Sequence, residues 1–141
     1  MSQPYDQLKL KNQLCFPLYA AARRIVNAYT PLLKPLGLTY TQYIVFMVLW
    51  EKEEVTVGEL GQTLSLDAGT LTPLLKKLEK EGYIKRTHSK QDERITLIKP
   101  TKKGDALKED CKDIPPKVSS VVSDLSMDEI ETLYNLLYKI V

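Results

Sequence analysis

The chemistry open to this chain is bounded by three side chains. Cys15, Cys111 and His88 are the only cysteines and the only histidine among its 141 residues. One histidine cannot build a histidine-rich metal centre, and neither thiol carries CxxC or His/Cys ligand spacing. A Ser–His or Cys–His nucleophile pair is just as poorly supplied. A thiol peroxidase would need an acid–base group beside its cysteine, and no such constellation is legible. The expectation is a protein that is not an enzyme and holds no metal or cofactor. A lone thiol can still change oxidation state, passing from thiolate to sulfenic acid and on to a disulfide. By periodicity alone Cys15 reads as a small core residue, a common fate of free cysteine. Cys111, four residues after Leu107, also falls on the apolar side of a helix. His88 reads as a solvent-facing hairpin residue and Trp50 as a packing residue.

The second available chemistry is electrostatic. The net charge is +2, but residues 55–104 carry ten Lys/Arg against six Asp/Glu, whereas residues 105–141 carry four against eight. A basic middle beside an acidic tail suggests an anionic partner for that middle. Its candidate contacts are Thr70, Thr72, Pro73, Lys76 and Lys77 on one predicted helix. Arg86, Lys90 and Arg94 lie about a predicted hairpin, with Asp92 placed to hold the Arg94 guanidinium or the turn. Small hydroxyls allow close approach to bases and phosphates, lysines neutralise the backbone, and an arginine on a hairpin fits a narrow minor groove.

The elements that must position these residues follow from spacing and caps. Cys15, Leu18, Ala22, Ile25, Tyr29, Leu32 and Leu36 recur every three or four residues, one face of a long helix, with Pro17 near its start and Pro35 and Gly37 closing it. Thr39 caps a very apolar second helix, Tyr40–Trp50. Thr56-Val57-Gly58-Glu59 has capping-box form and opens a short helix to Leu64. After Ser65-Leu66-Asp67, a helix with the stripe Leu71, Leu74, Leu75, Leu78 runs to Gly82, disturbed locally at Pro73. Tyr83–His88 and Arg94–Lys99 alternate as strands about a polar turn, which reads as a β-hairpin. Thr101 caps a helix to about Asp113, Pro115-Pro116 interrupts the chain, and a weaker helix over Lys117–Val122 follows. Ser126-Met127-Asp128-Glu129 opens the last helix, with Ile130, Leu133, Leu137 and Ile140 along one side.

Helix, tight turn, helix, hairpin within Thr56–Pro100 is the order of a winged helix-turn-helix, whose second helix enters a major groove. The fold class is therefore mostly α with a small β-hairpin wing. Apolar residues at 43% suffice for a core, and no apolar run approaches the ~18–20 residues of a membrane span. With no secretory h-region at Met1–Lys11, a cytoplasmic protein without membrane contact is expected.

The stretch Leu66–Glu79 resembles the recognition helix of MarR-family transcriptional regulators, as do Asp92-Glu93-Arg94 and Thr101-Lys102-Lys103-Gly104. Gln13-Leu14-Cys15-Phe16, Leu18-Tyr19 and Leu38-Thr39-Tyr40-Thr41-Gln42-Tyr43 resemble its organic-hydroperoxide-sensing branch, which includes thiol-switched virulence regulators of staphylococcal type. The resemblance covers almost the whole chain and weakens after Asp113. It implies a homodimeric repressor on a near-palindromic duplex, released when organic hydroperoxide oxidises Cys15. Cys15 would be the sensing thiol, Tyr29 and Tyr40 its hydrogen-bond partners, and Arg94 the minor-groove residue. Lys77 stands where relatives often have arginine, an exchange that loses bidentate geometry. Residues 1–54 would hold dimerisation helices and the thiol pocket, 55–104 the DNA-binding region, and 105–141 further dimerisation helices. Cys111 is a candidate resolving cysteine, although two-cysteine relatives carry theirs nearer Ser119 or Ser120. The alternatives are an interface pocket for a phenolic ligand, a thiol-switched virulence regulator, and a winged helix used only for protein contacts.

Tyr29 is fourteen residues after Cys15. At 1.5 Å per residue a continuous helix separates them by roughly 21 Å, beyond the reach of a tyrosine hydroxyl. If thiol and phenol meet, Tyr29 comes from the other subunit.

Overall fold

The computed structural model describes residues 3–141. Two short 3-10 turns, Asp6–Leu8 and Leu10–Asn12, precede helix α1, Cys15–Leu33. Pro17 falls in its first turn, where a missing N–H costs no intrahelical bond. A further 3-10 turn, Lys34–Leu36, ends at Gly37 with φ of 71°, a left-handed value suited to glycine. Thr39 then caps α2, Tyr40–Lys52. Its Oγ1 accepts the Gln42 N–H at 3.2 Å, and Gln42 Oε1 accepts the Thr39 N–H at 3.0 Å. That reciprocal pair satisfies the buried Gln42 and aims Tyr43, Val45, Phe46, Val48 and Leu49 into the core.

The central unit is built as its order implied. Strand β1, Val55–Thr56, leads into α3, Val57–Leu64, and then α4, Ala68–Lys80. Only the Thr56 half of the expected capping box is present, its Oγ1 accepting from Glu59 N–H at 3.0 Å. Helix α4 runs unbroken through Pro73, so the disturbance expected there does not divide it. Leu60, Leu71, Leu75 and Leu78 are fully buried with Leu33, Val45, Phe46, Leu49 and Ile98.

Strands β2, Ile84–His88, and β3, Thr96–Pro100, form the hairpin, with β3 central in an antiparallel sheet of order β1-β3-β2. The expected strand Arg94–Lys99 starts two residues later, which leaves Arg94 in the turn. Val55 and Arg86 both oppose Ile98 across the ladder and therefore share its inner face.

Thr101 caps α5, Lys102–Cys111, accepting from Gly104 N–H at 3.2 Å. The expected interruption at Pro115-Pro116 is corrected. Both prolines lie in the first turn of α6, Ile114–Val118, where their rings are tolerated, and only a 3-10 turn, Ser119–Val122, follows. Helix α7, Met127–Leu137, carries a complete capping box between Ser126 and Glu129, and Ile140 lies beyond its end. Among the described residues the chain is mostly helical, with seven α-helices and one winged helix-turn-helix. No single helix there is long and apolar enough to cross a membrane.

Candidate functional site

The basic face starts at the N-terminus of α4. Asp67 Oδ1 accepts the Thr70 N–H at 2.7 Å, which fixes the first turn. With Leu71, Leu75 and Leu78 inward, Thr70, Thr72, Pro73, Lys76 and Lys77 are all exposed along the opposite side. The five residues expected there share one open surface, with hydroxyls near the start of the helix and ammonium groups further along.

The wing tip is fixed by its own hydrogen bonds. Ser89 N–H donates to Ile95 O at 2.8 Å, Ile95 N–H donates to Asp92 O at 3.0 Å, and Gln91 N–H donates to Ser89 Oγ at 3.2 Å. Arg94 is 90% exposed, yet its guanidinium is clamped by Asp92: Nε to Oδ1 at 3.1 Å and Nη2 to Oδ2 at 3.0 Å. The Arg94 N–H adds a third bond to Oδ1 at 3.0 Å. Hydrogen bonds from the guanidinium, then from the backbone, hold the Asp92 carboxyl below its ordinary range. The same contact raises Arg94, so both charges persist at neutral pH. An arginine held outward by a carboxylate loses little side-chain freedom on entering a groove. Lys90 is exposed in the same connection between β2 and β3.

Arg86 is placed differently. Its Nε and Nη2 donate to Glu79 Oε1 at 3.1 and 2.9 Å, and its backbone N–H donates to Glu79 Oε2 at 3.3 Å. The guanidinium expected to face a polyanion is thus taken up by α4, with the side chain half-buried. Those bonds, the side-chain ones foremost, hold the Glu79 carboxyl below its ordinary range. Glu79 was missed in the sequence. The signal was the strand alternation itself, because an inward Ile84 places Arg86 inward too.

The sulfur groups separate cleanly. Cys15 is exposed as the first residue of α1, flanked by exposed Leu14, Phe16 and Tyr19. The described helix is continuous from Cys15 to Tyr29, so the thiol and its expected phenol stay roughly 21 Å apart along it. Tyr29 instead packs on Tyr40 and Tyr43, with ring centroids 5.1 and 5.4 Å away. Tyr40 therefore stands with Tyr29 rather than with the Cys15 of its own chain. Burial raises the pKa of Tyr29 and Tyr40 and carries Tyr43 up to about 12, so all three keep their phenolic protons at neutral pH.

Cys111 is 3% exposed, within the core. Burial, then the charge of Asp110, pushes its thiol pKa up. Trp50 packs on Phe46 at 5.6 Å and donates Nε1–H to Gly104 O at 3.1 Å, a tie between α2 and α5. His88 is exposed at the end of β2. Among the described residues no cluster of three or more His, Cys, Asp or Glu could hold a metal.

Residues 27–111 match the family model described as transcriptional regulator SarA/Rot. An organic hydroperoxide resistance transcriptional regulator of Bacillus subtilis (strain 168) is 45% identical over 138 residues, covering 98% of this chain and 93% of that protein. The structure of reduced AbfR bound to DNA aligns with a TM-score of 0.75 at 35% identity, covering 96% of this chain and 94% of the other. A cysteine-to-serine mutant of Escherichia coli MarR complexed with operator DNA aligns at 0.85 with 27% identity and 99% coverage of both chains.

Proposed function

The chain belongs to the MarR/SarA-type transcriptional regulators, and from that premise we propose that it is a homodimeric repressor released from its operator when organic hydroperoxide oxidises Cys15. In this reading residues 55–104 bind the duplex, while residues 1–54 and 105–141 join two copies in the cytoplasm. Thr70, Thr72, Pro73, Lys76 and Lys77 face the major groove. Lys90 and Arg94 face the minor groove, with Asp92 holding Arg94 ready. Two such units on one dimer match half-sites about one helical turn apart.

One observation carries the sensing role: an exposed thiol at one end of α1 and a protonated phenol pair gathered at the other. Neither half works alone, and a second copy running the opposite way would bring its Tyr29 and Tyr40 to this Cys15. Phenol O–H donors favour thiolate over thiol, and the thiolate is the nucleophile. It attacks one peroxide oxygen, so an S–O bond forms as the O–O bond breaks. Sulfur is oxidised by two electrons, the alcohol departs as alkoxide and takes a proton, and Cys15 is left as sulfenic acid. A small external thiol then condenses with it, releasing water and leaving a mixed disulfide. Cys111 is a poor resolving partner, because burial withholds both its access and its thiolate. The added volume between two chains shifts the winged units from their half-site spacing.

The test is operator release by cumene hydroperoxide with free cysteine present, followed by gel shift and intact mass. The expected result is release with mass added at Cys15, and retention of DNA by Cys15→Ser under the same dose. Release that persists in Cys15→Ser removes the thiol as sensor and favours a ligand pocket.

A further inference from the structure

The wing meets the recognition helix through one ion pair that no DNA contact requires. We propose that Glu79 and Arg86 form a positioning pair, setting the angle of the wing on α4 so that major-groove and minor-groove contacts fall in register on one duplex. This rests on the DNA-binding reading above.

Arg86 shares the inner face of β2 with buried Ile84 and opposes buried Ile98 on β3. Its guanidinium therefore leaves the sheet on the side of α4, not on the side of solvent. Glu79 sits in the last turn of α4 and receives three donors from this one residue, two from the side chain and one from the backbone. The backbone bond matters most for geometry. β2 is an edge strand, and Glu79 takes an edge N–H that the ladder leaves free. A carboxylate that grips both the main chain and the side chain of one strand residue resists rotation as well as separation.

The other contacts near this junction secure the turn rather than the strand. Lys103 Nζ donates to Glu81 O at 2.8 Å, and Thr101 Oγ1 donates to Gly82 O at 2.6 Å. Gly82, with φ of 83°, is the pivot between α4 and β2. Beyond that pivot, the polar tie from the helix to the wing is Glu79–Arg86.

The lever arm gives the pair its importance. Lys90 lies six residues past Ile84, about 20 Å out at about 3.3 Å per residue. A tilt of about 10° at the base would move the tip by about 3.5 Å, more than half the ~6 Å width of a minor groove. Arg94 would then miss the groove while α4 remained seated.

The experiment separates a positioning role from the direct DNA contact that an arginine in a wing suggests. The probe is a duplex selected from a random-sequence pool by the wild-type protein, compared with an unselected duplex of equal length. Glu79→Gln removes a negative charge and frees the Arg86 guanidinium. If Arg86 touched phosphate, both changes would strengthen binding. The positioning pair predicts the opposite: about tenfold weaker binding to the selected duplex, with the unselected duplex bound within about twofold of wild type. Arg86→Lys, which keeps the charge but loses the fork, should give an intermediate loss. The exchanged pair, Glu79→Arg with Arg86→Glu, restores the ion pair at unchanged net charge but has no acceptor for the residue 86 N–H, so it should regain part of the selectivity, a partial rescue that mere destabilisation would not produce. Thermal midpoints are measured on the same samples, and a selectivity loss that survives in variants folded as firmly as wild type supports the pair. Glu79→Gln binding the selected duplex as tightly as wild type overturns it. A wild-type chain that enriches no sequence overturns the DNA-binding reading and this inference together, whereas enrichment with an insensitive Glu79 overturns the inference alone.

Discussion

At the scale of single residues, position on a strand or helix decides what a side chain is free to do. Arg86 and Arg94 are both wing arginines, yet one is turned inward to Glu79 and the other outward against Asp92. Gly104 is a sharper case. It is buried at the start of α5, its carbonyl accepts from Trp50, and a Cβ there would run into the carbonyl oxygen of Tyr83 and sit 3.3 Å from Pro100 Cβ. A backbone oxygen cannot rotate aside, so Gly104→Ala forces α5 off the wing. The expected loss is about 1–3 kcal/mol, the range of core overpacking. Gly58 in α3 has its nearest neighbour at 3.8 Å, so Gly58→Ala should be neutral or stabilise by up to ~1 kcal/mol through helix propensity. Urea denaturation of both variants at equal protein concentration checks the contrast. Equal midpoints would mean that the close approach at Gly104 is not a constraint.

At the scale of elements, helix ends were the most legible features because their determinants are local. Thr39, Asp67, Thr101 and Ser126 each cap a helix through a residue three positions on, a pattern visible in a few letters. Asp67→Ala should therefore destabilise the protein by about 1 kcal/mol and loosen the first turn of α4, while Asp67→Asn keeps most of the cap. Amide exchange at Thr70, whose N–H is the capped donor, reports this directly. Unchanged protection in Asp67→Ala would show that the turn holds without its cap. What was not legible was nonlocal. Strand β1 is two residues long and exists only because β3, some forty residues later, accepts it. Pro115-Pro116 looked like a break because the same proline that ends a helix also suits its first turn, and only the position of Ile114 distinguishes the two. The Glu79 contact is of the same kind, a helix residue whose role is set by which face of a distant strand turns toward it.

At the scale of the whole molecule, the single chain leaves a face unfinished. Helix α7 has a complete capping box but buries none of its residues, and Leu133, Tyr134, Leu136, Tyr138 and Ile140 are exposed. The N-terminal turns likewise expose Leu8 and Leu10, and Leu14, Phe16 and Tyr19 are exposed at the start of α1. Eleven residues make a helix that is marginal in water unless its apolar stripe is covered. In the proposed dimer a second copy would cover both sets of apolar residues and bring its Tyr29 and Tyr40 to this chain's Cys15. That arrangement ties redox chemistry to assembly. Leu136→Glu places a charge in that apolar face and should convert the protein to monomer in sedimentation velocity. It should also weaken operator binding by orders of magnitude, because a single winged unit makes half the contacts. The third consequence is chemical: in the monomer Cys15 should lose its phenol donors, and its oxidation by cumene hydroperoxide should slow to the rate of an ordinary exposed thiol. A monomer that still oxidised at the wild-type rate would place the whole sensing centre within one chain, against the roughly 21 Å of helix that separates its parts.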